Sequence, residues 1–147
     1  MSDARTRLEH ADHGVMSTIH PTRGVDSVPV CFAVVGDVVG IPVDTVKPKR
    51  STRLGRLRNL EQDPRATLLV EHWDAEDWSA LWWVRATLLH TEADAALVAE
   101  LTEAVMAKYP QYADGGIDSM ISLRILDVAG WSARSPEGDD ELRQPPP

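Results

Sequence analysis

A run of basic residues is the feature of this sequence with the clearest chemistry. Six lysines and arginines lie between Lys47 and Arg58, and that stretch contains no aspartate or glutamate. The whole chain is acidic, with a formal charge of −8 at pH 7, so its other residues carry nine basic side chains against 23 acidic ones. Nucleic acids bind mainly through many lysine and arginine contacts along an extended surface. The pattern therefore argues against a nucleic-acid partner and indicates a small anionic ligand bound at one place.

The basic run leads into a predicted helix. Ser51 and Thr52 are good N-cap residues for a helix over 52–62. The first turn of a helix attracts anions through its free N–H groups and its dipole. On a helical wheel, Arg53 falls inside the apolar stripe of that helix, where a guanidinium needs a partner. We expect a phosphate pocket here; the alternative is a solvated charged face, because no GxxxxGK[ST] phosphate loop is present.

Strands dominate the elements that should position this run. Gly36-Asp37 is expected to join two strands as a hairpin, and 21–27 reads as a turn. Pro29 and Pro42 should lie at strand ends or edges. Six strands with few helices predict a mainly β fold, a six-stranded antiparallel split β-barrel with flanking helices, in which closure removes exposed sheet edges. The predicted strands are 14–20, 28–35, 38–43, 66–73, 81–91 and one within 119–133, and the predicted helices are 3–11, 52–62 and 93–112.

Length and composition indicate one globular domain. We expect a single domain over 1–134 and a disordered polar, proline-rich tail over 135–147. No apolar run approaches the roughly 18 residues of a membrane span, and the N-terminus has no apolar signal region. A single cysteine excludes an internal disulfide, so the expected compartment is the cytoplasm.

Other residue types that often carry chemistry have plainer interpretations here. His10 and His13 are three residues apart, but without a cysteine partner or an HExxH motif no metal site is predicted. Cys31 is expected to be a small buried hydrophobic residue. The five tryptophans should serve mainly in core and dimer packing, with Trp78, in the acidic loop WDAEDWSA, as a candidate lid residue.

Four segments taken in order resemble a known superfamily: VPVCFAV, VDTVKPK, TRLGRLRNLEQDPRATLLVEHW and LWWVRATL. They are similar to the pyridoxamine 5′-phosphate oxidase-like (PPOX class) split-barrel superfamily, and most similar to its branch of F420-dependent enzymes. The resemblance covers roughly residues 8–133. It implies the FMN-binding split-barrel fold, a homodimer, and two cofactor sites at the dimer interface.

The resemblance also implies a set of cofactor-binding residues. The cofactor phosphate would be held after the third strand, the flat ring would lie along the second and third strands, and the partner subunit would contribute the strand LWWVRATL. Trp83 and Arg85 project to the same face of that strand because side chains alternate. The implied residues are Pro29, Val30, Phe32, Lys47, Lys49, Ser51, Thr52, Arg53, Arg56, Trp83 and Arg85.

One departure from the family pattern bears on the choice of cofactor. The FMN-using oxidases carry an Arg-Gln pair where this chain has Trp82-Trp83, and the loop VKPKRST is longer here. Both features favour the deazaflavin F420, whose oligoglutamate tail suits additional cations. The expected function is hydride transfer between reduced F420 and a small organic acceptor, with no catalytic acid or base identified. The alternatives are an FMN-dependent oxidase or reductase of the same fold, a non-catalytic flavin, deazaflavin or haem carrier, and a dimeric scaffold without a ligand.

Overall fold

The computed structural model describes residues 3–44 and 55–134. Within these ranges the chain forms three α-helices, two 3₁₀ turns and seven strands. The helices are α1 (Asp3–His10), α2 (Gly55–Gln62) and α3 (Ala95–Lys108), and the 3₁₀ turns are Trp78–Ala80 and Pro110–Tyr112. The strands are β1 (Gly14–His20), β2 (Gly24–Val30), β3 (Ala33–Val35), β4 (Val38–Asp44), β5 (Arg65–His72), β6 (Trp82–His90) and β7 (Ile117–Ser132).

All seven strands join one antiparallel sheet in the order β2-β1-β5-β6-β7-β4-β3. The predicted mainly β, antiparallel class is confirmed, and the strand count of six is wrong. The sheet is also open among the described residues, since β2 pairs only with β1 and β3 pairs only with β4. The expectation that barrel closure removes the edges is therefore not met within this chain.

The extra strand comes from the segment predicted as one strand over 28–35. Part of the expected turn belongs to β2, which begins at Gly24, where a φ of 101° ends the turn from β1. The chain then leaves the ladder at Cys31 and Phe32 before β3 begins. The hydroxyl of Tyr109 accepts from the Phe32 amide at 3.0 Å and lies 3.0 Å from the Phe32 carbonyl oxygen. A distant side chain thus accepts from a backbone amide that a continuous strand would pair.

The remaining elements follow the sequence pattern closely. The β3–β4 hairpin turns at Gly36-Asp37, as predicted, and pairs Val35 with Val38. β1 has its predicted bounds, and α2 ends at Gln62 as expected. α3 ends earlier than predicted, at Lys108, because Pro110 cannot continue the helix.

The main core lies on one face of the sheet, which we call the inner face. It is formed by alternate residues of the strands, with α1 contributing Leu8 and α2 contributing Leu60. α3 packs against β3, β4 and β7 and buries Leu101 and Val105. No helix in 3–44 or 55–134 is long and apolar enough to cross a membrane. The predicted tail over 135–147 and the start predicted for α2 lie outside the described residues.

Candidate functional site

Part of the predicted phosphate pocket can be placed. Arg56 lies in the first turn of α2 and is half-buried, and Arg58 is exposed on the same helix. The other predicted residues of the pocket fall outside the described ranges, so their role stays a prediction: Lys47, Lys49, Ser51, Thr52 and Arg53.

A buried hydrogen-bond network fastens α2 to the β1–β2 hairpin. The side-chain amide of Asn59 donates to Thr18 Oγ1 at 3.0 Å and to Asp26 Oδ2 at 2.9 Å. Asn59 is 4% exposed and Thr18 is 2% exposed, so the bond between them is shielded from water, whereas the bond to Asp26 is only partly buried. Arg23 continues the network with a two-oxygen ion pair to Asp26, its closest contact being 2.8 Å. The pKa of Asp26 is lowered, chiefly by the hydrogen bond from Asn59.

A cleft of about 550 Å³ opens beside this network, between α2 and the turn that joins β1 to β2. His20 lies in its wall, and its Nδ1 accepts from the backbone amides of Thr22 and Arg23 at 3.1 and 3.0 Å. Because Nδ1 is the acceptor, the neutral ring carries its proton on Nε2. Arg58 and Gln62 of α2 line the opposite wall. The cleft therefore presents polar groups of both charge signs rather than a uniformly basic surface.

The second group of predicted residues lies on the outer face of the sheet, opposite the inner face. Trp83 and Arg85 share this face of β6, as predicted, and the Arg85 guanidinium lies 5.4 Å from the centre of the Trp83 ring. Both side chains are half-buried. Pairing along the ladder puts Pro29, Val15, Leu69 and Arg85 in one row across four strands. With strands about 4.8 Å apart, Pro29 and Arg85 are separated by about 14 Å along that row.

Val30 and Phe32 do not lie on the outer face with Pro29 and Arg85. Val30 points to the inner face, at 6% exposure, and Phe32 is fully buried in the same core. The backbone amide of Phe32 already donates to the Tyr109 hydroxyl. The structure therefore separates these two side chains from Pro29 and Arg85, and their place in a cofactor site stays a prediction.

Lys108 and Tyr109 form a charged and aromatic junction that sequence reasoning missed. Lys108 Nζ lies 4.0 Å from the centre of the Phe32 ring, and burial lowers its pKa. Burial also raises the pKa of Tyr109 to about 12. The Tyr109 hydroxyl donates to the carbonyl of Asp12 at 2.8 Å. The sequence pattern did not indicate this junction, because the partners of Lys108 and Tyr109 lie far away in the chain.

The tryptophans gather at one end of the sheet, where β5 ends and β6 begins. Trp83 is paired across the ladder with Trp131 of β7. Trp73 and Trp78 are 62% and 64% exposed, and their ring centres lie 5.9 Å apart. Trp82 faces α1, with the Arg7 guanidinium 5.2 Å from its ring centre. Trp78 therefore lies at the surface, and its role as a lid stays a prediction.

The outer face also carries an apolar groove of about 370 Å³. Ile19, Val25 and Leu126 line it, and Val25 and Leu126 are 66% and 52% exposed. Leu69, nearby on the same face, is 38% exposed. An apolar surface of this kind on a sheet face is typical of a protein or ligand contact.

Among the described residues, no three histidine, cysteine or acidic side chains lie together as a metal site would need. Besides Asp26, two carboxylates in this part of the chain have pKa values lowered chiefly by hydrogen bonds from residues two positions along the chain. Arg65 lowers the pKa of Asp63 to about 2, and Ser79 lowers that of Asp77. These groups are ionised in structural contacts at neutral pH and do not indicate an acid or base catalyst.

Comparisons with known proteins identify solved structures with a similar fold. Neither the family models nor the curated proteins gave a match. Solved structures gave many. An F420 reductase aligns over 87% of this chain and 97% of its own, with a TM-score of 0.57 and 15% identity. A FAD-binding protein from Mesorhizobium loti aligns over 88% and 92%, with a TM-score of 0.63 and 12% identity.

A third similar structure binds a different kind of ligand. A heme-binding protein from Mycobacterium smegmatis aligns over 88% of this chain, which spans 56% of that longer protein, with a TM-score of 0.64 and 15% identity. At these identities the likeness shows a shared split-barrel-type fold. What each protein binds is a property of that protein.

Proposed function

We propose that this protein is an oxidoreductase that binds a flavin-type cofactor, with coenzyme F420 as the favoured cofactor. The observation that carries the proposal is the run of six cations that leads directly into α2, with Arg56 half-buried at its first turn. A half-buried guanidinium at that place suits an anionic group of a ligand. The fold shared with an F420 reductase and a FAD-binding protein supports the same conclusion.

The described residues fit such a cofactor in two respects. Arg56, with the basic residues that precede α2, would bind a phosphate through charge-assisted hydrogen bonds. Trp83 and Arg85 lie on the opposite face of the sheet from α2, so they would orient the flat ring of a cofactor whose phosphate is bound by the other subunit of a dimer, since a planar π system stacks on an aromatic ring or a guanidinium. When bound, the cofactor would supply the hydride chemistry, and the protein would provide anion binding, orientation and a dry surface.

We also propose that the protein works as a homodimer. The outer face presents Val25, Leu69 and Leu126 as exposed apolar side chains around a groove. A second copy packed on this face would bury them and would exclude water from Trp83 and Arg85. Each site would then combine residues of the two subunits.

Two alternatives are each favoured by one observation. The shared fold of the FAD-binding protein favours a flavin such as FMN in place of F420. The shared fold of the heme-binding protein favours a carrier that binds its ligand without turnover. The low identity to all three structures leaves this choice to a binding measurement.

Titration of the purified protein with F420 and with FMN, followed by tryptophan fluorescence, tests the proposal. Trp83 and Trp131 lie side by side near the proposed ring site, so a bound chromophore should quench their emission. We expect tight binding of F420 and weak binding of FMN. Tight FMN binding would favour the flavin alternative.

Haem provides the third titration. A protein that binds haem but neither F420 nor FMN would be assigned as a carrier. If none of the three binds, the proposed function is wrong. After F420 binding is established, oxidation of reduced F420 by a panel of electron-poor acceptors distinguishes an enzyme from a carrier.

A further inference from the structure

α2 is held against the sheet by apolar packing and by the hydrogen bonds of Asn59. The helix has eight residues, and its buried side chains are Asn59 and Leu60. A helix this short is unstable alone and takes its position from what it packs against. Leu60 enters the core and Leu57 packs against it, but an apolar contact has no preferred direction. The hydrogen bonds of Asn59 to two strands add direction to this packing and so help to fix the rotation of α2 about its axis.

Asn59 is well suited to this task. Its side-chain amide donates one hydrogen bond to each of two acceptors in the same hairpin, Thr18 on β1 and Asp26 on β2. Asp26 also forms an ion pair with Arg23, which lies in the turn between β1 and β2. Two bonds to different strands define an orientation that one bond would leave free to pivot.

The orientation of α2 matters because of what the helix carries. Arg56 lies three residues before Asn59, which is close to one turn of the helix on a neighbouring face. In the sequence, the basic residues that precede Gly55 adjoin the same end of the helix. A rotation of α2 would move the Arg56 guanidinium away from an anionic group bound beside the first turn.

We propose that Asn59 is a positioning residue for the cofactor site. It would act through α2, by aiming Arg56 and the first helical turn at the anionic group of the cofactor, and would not touch the cofactor itself. The inference rests on the proposed function, because it specifies how that site is held in place.

The test compares F420 binding in variants of the network. Asn59→Leu removes both hydrogen bonds at similar volume, and we expect F420 affinity to fall about tenfold, the size of a lost charge-assisted contact. Thr18→Val should weaken binding in the same direction, whereas Thr18→Ser keeps the hydroxyl and should restore it. Thr102→Val, which removes a hydroxyl bond to Val98 within α3, is the matched control and should bind F420 normally.

A double-mutant cycle separates positioning from general destabilisation. If Asn59 acts by aiming Arg56, then Asn59→Leu should cost much less affinity in an Arg56→Gln background than in the wild type. An equal cost in the two backgrounds would overturn the inference. Thermal unfolding of each variant confirms that the compared proteins are folded, and the Thr18 pair carries the test if Asn59→Leu does not fold.

The outcomes for this inference and for the proposed function differ. If folded Asn59→Leu binds F420 as tightly as the wild type does, the positioning role alone is wrong. A wild-type protein that binds neither F420 nor FMN overturns the proposed function, and the positioning role with it.

Discussion

Tyr109 joins three segments of the chain through one hydroxyl group. It accepts from the Phe32 amide and donates to the Asp12 carbonyl, and it stands directly after the end of α3. Its ring meets the ring of Tyr112 edge to face, with centres 6.3 Å apart. At the scale of single residues, this contact explains why the chain interrupts the ladder between β2 and β3.

Replacing Tyr109 by phenylalanine keeps the ring and removes these hydrogen bonds. The Phe32 amide would lose its acceptor in a buried place, so we expect the free energy of unfolding to fall by about 1–3 kcal/mol. Urea denaturation measures the change. Ser27→Ala, which removes an exposed hydroxyl contact with Ser17, is the control and should change stability by less than about 0.5 kcal/mol. A loss no larger than that of the control would mean that Tyr109 does not hold the junction.

Tyr109→Phe should also change how the free energy of unfolding depends on pH above about pH 10. The pKa of Tyr109 is about 12 in the folded protein, against about 10 in an unfolded chain. Between these values the unfolded state releases the proton more readily, so stability from this group is present below pH 10 and is lost as pH rises to 12. Stability should therefore fall more steeply with pH in the wild type than in Tyr109→Phe. The pKa of Lys108 is shifted in the opposite direction, but Lys108 is present in both the wild type and Tyr109→Phe, so its effect does not separate them.

At the scale of elements, the contact between α3 and β4 depends on a residue without a side chain. A Cβ atom on Gly40 would lie 2.9 Å from Leu101 Cδ2 and 3.1 Å from Met120 Sδ. The face of β4 that bears Gly40 is therefore shaped to receive α3. Sequence alone identified both elements but not this close approach.

Gly40→Ala should destabilise the protein by about 1–3 kcal/mol, because the added methyl group overpacks the contact between α3 and β4. Gly55→Ala is the matched control, since no atom of residues 3–44 or 55–134 lies within 4 Å of a Cβ there. It should be neutral or stabilising by up to about 1 kcal/mol, because alanine favours helix. Thermal denaturation of the two variants measures both changes, and equal midpoints would contradict the close-packing argument.

At the scale of the whole molecule, the two faces of the sheet differ in how they are covered. The inner face is covered by α1 and α2, and α3 packs against the β3–β4 end. The outer face of β1, β2 and β5 keeps Val25 and Leu69 exposed. The proposed homodimer would cover this surface and complete the site.

Leu69→Glu should convert the proposed dimer to a monomer, because it places a charge on the exposed apolar surface that the second copy would cover. Light scattering with size-exclusion chromatography at micromolar concentration measures the mass. Ala99→Glu, on the exposed face of α3, is the control and should leave the mass unchanged. A wild-type protein that is itself a monomer would contradict the homodimer.

Local pattern was sufficient for most elements and for the shared face of two candidate site residues. Strand alternation placed β1, β4, β5 and β6 to within a few residues, and it put Trp83 and Arg85 on one face, as the structure confirms. The charge count alone singled out the run that enters α2. These features depend on neighbours in the chain, whose spacing is visible in the sequence.

What the sequence by itself determined was the antiparallel, mainly β class, the hairpin at Gly36-Asp37 and the basic run. The tertiary structure decided the break after Val30, the burial of Phe32 and the bonds of Asn59 to Thr18 and Asp26. The physical reason is how far apart along the chain the interacting residues lie. Periodicity reports which face of a strand or helix is buried, whereas a hydrogen bond between distant segments depends on where the folded chain brings them together.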